Sequence, residues 1–200
     1  MSLVTQKAPD FTAAAVLASG QIVTDFNLHK TLNGKYGLLF FYPLDFTFVC
    51  PSELIALHNR MEQFKSRGIE VIAISIDSQF THHAWRETPR SKGGVGALDY
   101  TLVSDLQRSI CQNYGITHPQ AGVALRAAFI LDKNQIVKAQ IVNDLPLGRN
   151  IDELLRTFDA LQYHEEHGEV CPAGWNKGKK GMKPTTAGVA SYLTDHEQAL

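Results

Sequence analysis

Three cysteines in 200 residues are too few, and odd in number, for a disulfide framework, which points to redox or catalytic use of a thiol. No Cys-x-x-Cys occurs, so the chain is not itself a dithiol reductase. No apolar run approaches the roughly 20 residues of a membrane-spanning helix. Met1 to Lys7 holds no hydrophobic signal core, so export by that route is not expected and a cytoplasmic location is. A net charge of -1 argues against a nucleic-acid surface. Gly93-Gly94-Val95-Gly96 breaks regular structure, but no Gly-Lys-Ser/Thr follows it, so it is not expected to cradle a nucleotide phosphate. The histidines include His82-His83, on different sides, and His164 and His167, three apart, which could share a zinc. No cysteine or carboxylate set completes a ligand pattern, and solvent-facing histidines are the expectation. The basic stretch at Lys177, Lys179, Lys180 and Lys183 reads as a solvated loop, and Trp85 and Trp175 as packing residues. A hydrophobic content of 44% over this length suits one soluble domain with a full core.

What is present centres on Cys50. Leu38-Leu39-Phe40-Phe41 is a continuous apolar run, short enough for a buried strand. Pro43 ends its ladder because it has no N–H to give. Pro51 suits the first position of a helix, and Leu54, Leu57, Met61 and Phe64 recur at helical spacing. This predicts a helix from Pro51 to near Arg67, with Gly68 as its left-handed stop. Glu53 stands where a capping-box acid stands, three residues after Cys50. Cys50 therefore falls at a helix N-terminus beyond the C-terminal end of a central strand. Free N–H groups and the helix dipole favour a thiolate there. On position alone, a small buried residue at a helix start fits equally well.

The rest alternates between strands and helices. Phe11 to Val16 and Gln21 to Val23 read as a hairpin across Ser19-Gly20, and Phe26 to Leu32 as one helical turn. Ile69 to Ile76 is a second buried strand. Ser78 caps a helix through Trp85, ended by Pro89. Leu102-Val103 is a short strand, and Leu106 to Tyr114 a short helix stopped by Gly115. Val123 to Leu131 and Ile136 to Val142 form a hairpin over 132–135. Asn150 caps a final helix to about His164. This order favours an α/β fold with a mixed sheet. After Glu165, glycine, proline and lysine become frequent and apolar periodicity is lost, which predicts a mostly extended tail needing a partner surface.

Pro43, Thr47 and Cys50 match the signature of peroxiredoxins: Pro, three residues, Thr, two residues, Cys. The stretch FFYPLDFTFVCPSEL, Phe40 to Leu54, resembles that of the typical two-cysteine subgroup, the alkyl hydroperoxide reductase C and thioredoxin peroxidase type. Cys171, in Glu169-Val170-Cys171-Pro172-Ala173-Gly174-Trp175, resembles that subgroup's resolving-cysteine motif. The resemblance implies a thioredoxin-like fold, with the peroxiredoxin domain over residues 3–164 and a C-terminal extension over 165–200. It implies a thiol peroxidase for hydrogen peroxide and organic hydroperoxides, working without haem, metal or other cofactor. It also implies a homodimer, commonly assembled five to a decameric ring, and reduction by a thioredoxin-like protein or a dedicated flavoprotein reductase. A ring-forming holdase chaperone with secondary peroxidase activity is the alternative it permits.

Within that resemblance Cys50 is the peroxidatic cysteine and Cys171 the resolving one. The sequence leaves open whether their disulfide joins two chains or closes within one. Simple arithmetic limits what ionisation can contribute. A thiol whose pKa falls from about 8.5 to about 6 gains roughly thirtyfold in thiolate at pH 7 but loses about tenfold in nucleophilicity. Most of the acceleration must therefore come from positioning the O–O bond and stabilising the departing oxygen. Thr47 offers a hydroxyl. Arg126, on an apolar strand, is an edge residue pointing to water when read alone. The resemblance instead places it against the thiolate and peroxide. Pro43 would shield the site, and Glu53 would organise Arg126 and Arg149. Cys111, beside Ile110 on a short amphipathic helix, is expected to be buried and inert. A cysteine hydrolase would need a base, and nothing places His58 or His118 beside Cys50. Disulfide formation needs Cα atoms within about 7 Å, so the first turn at Cys50 is expected to unwind. In the family a glycine element like Gly93 to Gly96 packs on a C-terminal Tyr-Phe pair and slows this unwinding. Here the pair is Tyr192-Leu193, which predicts a weaker brace.

Overall fold

The apolar run ahead of Cys50 forms a strand in the interior of a sheet. The computed structural model describes residues 2–199. They divide into two compact units between Ile151 and Asp152. In the first unit, strands β1 (Thr12–Val16), β2 (Ile22–Asn27), β3 (Tyr36–Phe41), β4 (Ile69–Ser75), β5 (Thr101–Ser104), β6 (Arg126–Leu131) and β7 (Val137–Asn143) form one seven-stranded sheet, ordered β2-β1-β5-β4-β3-β6-β7. β3 pairs parallel with β4 and antiparallel with β6, so the sheet is mixed, as the element order predicts. A parallel pair needs a crossover. Helices α2 (Cys50–His58) and α3 (Met61–Ser66) supply it, which puts Cys50 just past the C-terminal end of β3.

All six residues of β3 are buried because both faces of the sheet are covered. Leu39 and Phe41 join a core with Ile72, Ile74, Val103 and Phe129. Helices α1 (Leu28–Thr31) and α5 (Ser109–Asn113) close that core with Leu28, Ile110 and Cys111. Phe41 lies 5.1 Å from Tyr114 and 5.7 Å from Phe129 between ring centroids. Each such side chain contributes about 1.5–3 kcal/mol by leaving water. Strand alternation turns Leu38 and Phe40 to the opposite face. Phe40 pairs with Ala128, so Arg126, two residues earlier on β6, shares the face of Phe40.

Several expectations shift. The helix predicted from Pro51 to Arg67 is broken at Asn59-Arg60. The Arg60 amide donates to Leu57 O rather than to Ala56 O, and the Arg60 guanidinium takes the Ala56 carbonyl at 3.2 Å. Gly68 does end the second piece, at φ +68°. The strand expected from Val123 joins the sheet only at Arg126. Residues 123–125 bond instead to 116–118, through His118 N to Val123 O and Leu125 N to Ile116 O. The helix expected from Leu106 starts at Ser109, because the Asp105 carboxylate accepts the amides of Ile110 and Cys111. Ser78 caps α4 (Gln79–Glu87) by accepting the Thr81 amide, as expected.

In the second unit α6 (Ile151–His167) runs one turn beyond His164. The tail is not extended throughout. Past its run of Gly, Pro and Lys, Thr185 accepts the Gly188 amide and caps helix α7 (Thr186–His196). Among the described residues no helix is long and apolar enough to cross a membrane.

Candidate active site

Cys50 is the first residue of α2, and its side chain has no exposed surface. Pro43 is buried at the end of β3, where Tyr42 N makes the last ladder bond to Ile74 O. Arg126 reaches Cys50 from β6: its Nη1 donates to Cys50 Sγ at 3.4 Å and to Glu53 Oε2 at 2.8 Å. Its Nε donates to Leu145 O, which fixes the plane of the fork. Arg126 is 4% exposed, so the reading of a water-facing edge residue does not apply.

Glu53 does not cap its helix. Its carboxylate accepts from Arg149 N at 2.8 Å, Nε at 2.9 Å and Nη2 at 3.1 Å as well as from Arg126. Two buried cations with one buried anion between them hold it away from the α2 amides. Burial alone would raise the Glu53 carboxyl, but the hydrogen bonds and charge of Arg149, with Arg126, outweigh it and hold it below the ordinary glutamate value. Burial lowers Arg149 from its ordinary value, against the pull of Glu53. Arg149 is fixed further by Nη1 donating to Ala127 O at 2.6 Å and by stacking 3.4 Å above the Phe40 ring. Gly148 permits this approach, since a Cβ there would meet Val49 Cγ1 at 3.3 Å.

A largely apolar cavity of about 600 Å³ is lined in part by Pro43, Thr47, Phe48, Val123, Arg126 and Pro146. Arg126 touches both the cavity and Cys50. The Thr47 hydroxyl donates to Leu44 O at 2.9 Å, and its lone pairs remain to accept. The structure thus brings Pro43, Thr47, Cys50, Glu53, Arg126 and Arg149 into one cluster in the first unit.

A second set of groups supports this loop, and sequence reasoning missed it. Asp45, between Pro43 and Cys50, is buried. It accepts from the Tyr42 hydroxyl at 2.7 Å and pairs with His82 Nδ1 at 2.7 Å. His82 Nε2 meets Val103 O at 3.1 Å, and the Asp45 amide donates to Asp77. Burial raises Asp45, partly offset by the His82 hydrogen bond, and burial raises Tyr42 well above a free phenol. His82 is therefore not solvent-facing. The signal was its helical position three residues before Trp85, on one face of α4.

Cys111 is buried, as expected, and burial raises its thiol. Its Sγ donates to Arg108 O and accepts from Thr117. Cys171, in the second unit, is half-buried. Burial raises its thiol, opposed by the charge of Arg156. Trp85 and Trp175 are both buried. His164 and His167 are exposed, and no group of His, Cys, Asp and Glu among the described residues could hold a metal.

Comparison with known proteins fits this geometry. Residues 4–140 match the AhpC/TSA family, and residues 160–195 match the C-terminal domain of 1-Cys peroxiredoxin. The chain is 52% identical to alkyl hydroperoxide reductase C of Buchnera aphidicola subsp. Baizongia pistaciae, over 96% of this chain and 97% of that one. It is 47% identical to peroxiredoxin-2 of Mus musculus, over 96% and 95%. The reduced 2-Cys peroxiredoxin of Plasmodium vivax superposes with a TM-score of 0.93 at 47% identity, covering 97% of this chain and 100% of that one. The chain belongs to the AhpC/TSA family of thiol peroxidases, the peroxiredoxins.

Proposed function

We propose that Cys50 is the peroxidatic cysteine and Cys171 the cysteine that resolves it. The Cys50 thiolate attacks the terminal oxygen of hydrogen peroxide or an organic hydroperoxide. An S–O bond forms, the O–O bond breaks, and the departing hydroxide or alkoxide takes a proton and leaves as water or alcohol. The contact that carries this reading is Arg126 Nη1, which donates to Cys50 Sγ while Glu53 anchors the same atom. A fixed cation there holds the nucleophile and stabilises charge as it moves to the departing oxygen, with no reorganisation needed during the step. Thr47 can accept from the peroxide, and Pro43 keeps water out.

Cys171 then attacks the sulfenic sulfur. The S–S bond forms, the S–O bond breaks, and hydroxide leaves as water with the Cys171 proton. Meeting at disulfide distance requires the first turn of α2 to open. Where that turn meets the preceding loop it is tied by Glu53 N to Val49 O at 3.2 Å and Ser52 Oγ to Val49 O at 2.6 Å, and a helix end of this kind can open locally. A dithiol of a thioredoxin-like protein or of a flavoprotein reductase returns the two electrons. The working unit is a homodimer, five of which form a ring, in the cytoplasm. Residues 3–164 carry the peroxidatic centre and 165–200 the resolving one. The names of the relatives, reductases and peroxiredoxins, favour peroxidase work over the holdase reading.

A non-reducing gel after one equivalent of peroxide tests the scheme. A disulfide-linked dimer is expected from wild type, and none from Cys50→Ser or Cys171→Ser. An equal dimer band from Cys171→Ser would remove that residue's assigned role.

A further inference from the structure

The second unit contains a charged clamp beside Cys171 that the scheme above does not use. Arg156 lies on α6. Its Nε and Nη2 donate to the two Glu153 carboxylate oxygens at 2.7 and 2.6 Å. The pair is bidentate, so the guanidinium plane is set by its own helix. The remaining nitrogen, Nη1, donates to Trp175 O at 2.9 Å. Trp175 N in turn donates to Pro172 O, closing the turn that begins one residue after Cys171. The Cys171 thiol donates to Ala160 O at 3.4 Å, and Ala160 is four residues beyond Arg156 on the same helix face. Two anchors one helical turn apart therefore hold the cysteine segment against α6. Arg156 also opposes the effect of burial on the Cys171 thiol. Other titratable groups of this segment are paired among themselves: Tyr163 bonds Glu169 at 2.6 Å and packs 4.4 Å from the His167 ring, and Lys177 lies 3.6 Å from Asp159.

We infer that Arg156, aimed by Glu153, is a positioning residue for the resolving step: it fixes the Cys171 turn and supplies the positive charge that favours attack by this sulfur. The inference rests on the resolving role proposed for Cys171. In that step Cys171 gives up its proton, forms the S–S bond and displaces hydroxide from the Cys50 sulfenic acid. A nearby guanidinium favours the ionised attacker, and the Trp175 bond limits the orientations the turn samples.

The test is stopped-flow kinetics on full-length Arg156→Gln and Glu153→Gln, with sulfenic acid formation and disulfide formation followed separately. The Arg156–Glu153 pair is partly exposed, so the effect is modest. Disulfide formation should slow about three- to tenfold in Arg156→Gln and less in Glu153→Gln, which keeps the cation but loses its aim. Slower trapping should raise the sulfinic yield at Cys50 in step with the rate. In a Cys50→Ser background, the pH midpoint for alkylation of Cys171 should move upward in Arg156→Gln and return toward wild type in Arg156→Lys. A loss of packing alone would not produce that charge-dependent rescue. Unchanged disulfide rate and unchanged alkylation midpoint in a folded Arg156→Gln overturn the inference. Failure of the underlying reading looks different: Cys171→Ser would still form a peroxide-dependent disulfide, through another thiol.

Discussion

Replacing Glu53 by Gln keeps the size of the side chain but removes the negative charge between two buried guanidiniums and one of its two acceptor oxygens. The side chains of Arg126 and Arg149 are 5% and 0% exposed, and that of Glu53 is 2% exposed. The carboxylate accepts four hydrogen bonds from these two residues. A glutamine at the same place has one oxygen to accept and an NH2 group turned toward donors. Breaking a buried pair by neutralising one member costs about 3–5 kcal/mol, because the partner charge stays buried. Arg149 keeps the Ala127 carbonyl and the Phe40 ring, so the lower end, about 3 kcal/mol, is expected. Against a total stability of roughly 5–15 kcal/mol, this is readily measured by urea unfolding at fixed protein concentration.

The pH dependence gives the sharper check. Glu53 is held below its ordinary value of 4.5 in the folded state. A carboxyl depressed by folding contributes stability that is fully present above its unfolded pKa and is lost as pH falls through the folded one. Wild type should therefore lose this contribution on acidification below about pH 4.5, while Glu53→Gln has none to lose. The stability gap between them should be widest at neutral pH and close in acid. A gap under about 1 kcal/mol at pH 7, or one that stays constant on acidification, would refute the account of Glu53 as the counter-charge.

Arg126→Lys keeps a cation but not a fork that reaches sulfur, carboxylate and carbonyl together; its second-order rate with peroxide should fall about a hundredfold by stopped-flow fluorescence. A loss under about threefold would mean that fixed geometry at Arg126 is unimportant. Leu193 is 42% exposed on α7, and Leu193→Phe restores the ring of the family's Tyr-Phe pair. Its sulfinic yield on peroxide titration should rise, measured by mass spectrometry, and an unchanged yield would show that the ring at this position does not govern over-oxidation.

The sequence carried the position of Cys50 well, because that position depends on local rules. An apolar run, a proline stop and a second proline in a first helical turn place the residue between β3 and α2 without reference to distant contacts. Glu53 separates two kinds of reading. Its spacing from Cys50 fits a capping box that the structure does not make, whereas the resemblance pairs it with Arg126 and Arg149, 73 and 96 residues away, and those bonds are present. Local pattern describes what an acid can do with its own helix, not which cations the sheet will deliver. The break at Asn59-Arg60 escaped for a similar reason: the apolar spacing runs straight through it, and the Arg60 side chain competes with its own backbone for one carbonyl. His82 was legible in principle, since helical spacing puts it on the face of Trp85, but histidine carries no fixed expectation of burial.

The position of Glu53 joins the two halves of the proposed cycle. The site needs a rigid cation at the sulfur for the first step and a mobile sulfur for the second. These demands conflict if one set of bonds serves both. In this chain they are divided at one residue. Upstream of Glu53 the helix start is held by bonds to Val49 O, which can open and close. From Glu53 onward the carboxylate pins α2 to β6 and to the loop that carries Arg149. On the proposed scheme, opening the first turn would free Cys50 while the Glu53 carboxylate still anchors Arg126, so that refolding would return the sulfur to the same donor. On this reasoning, weakening the Glu53 anchor should let the opening spread along α2, so that resolution is gained at the expense of peroxide attack.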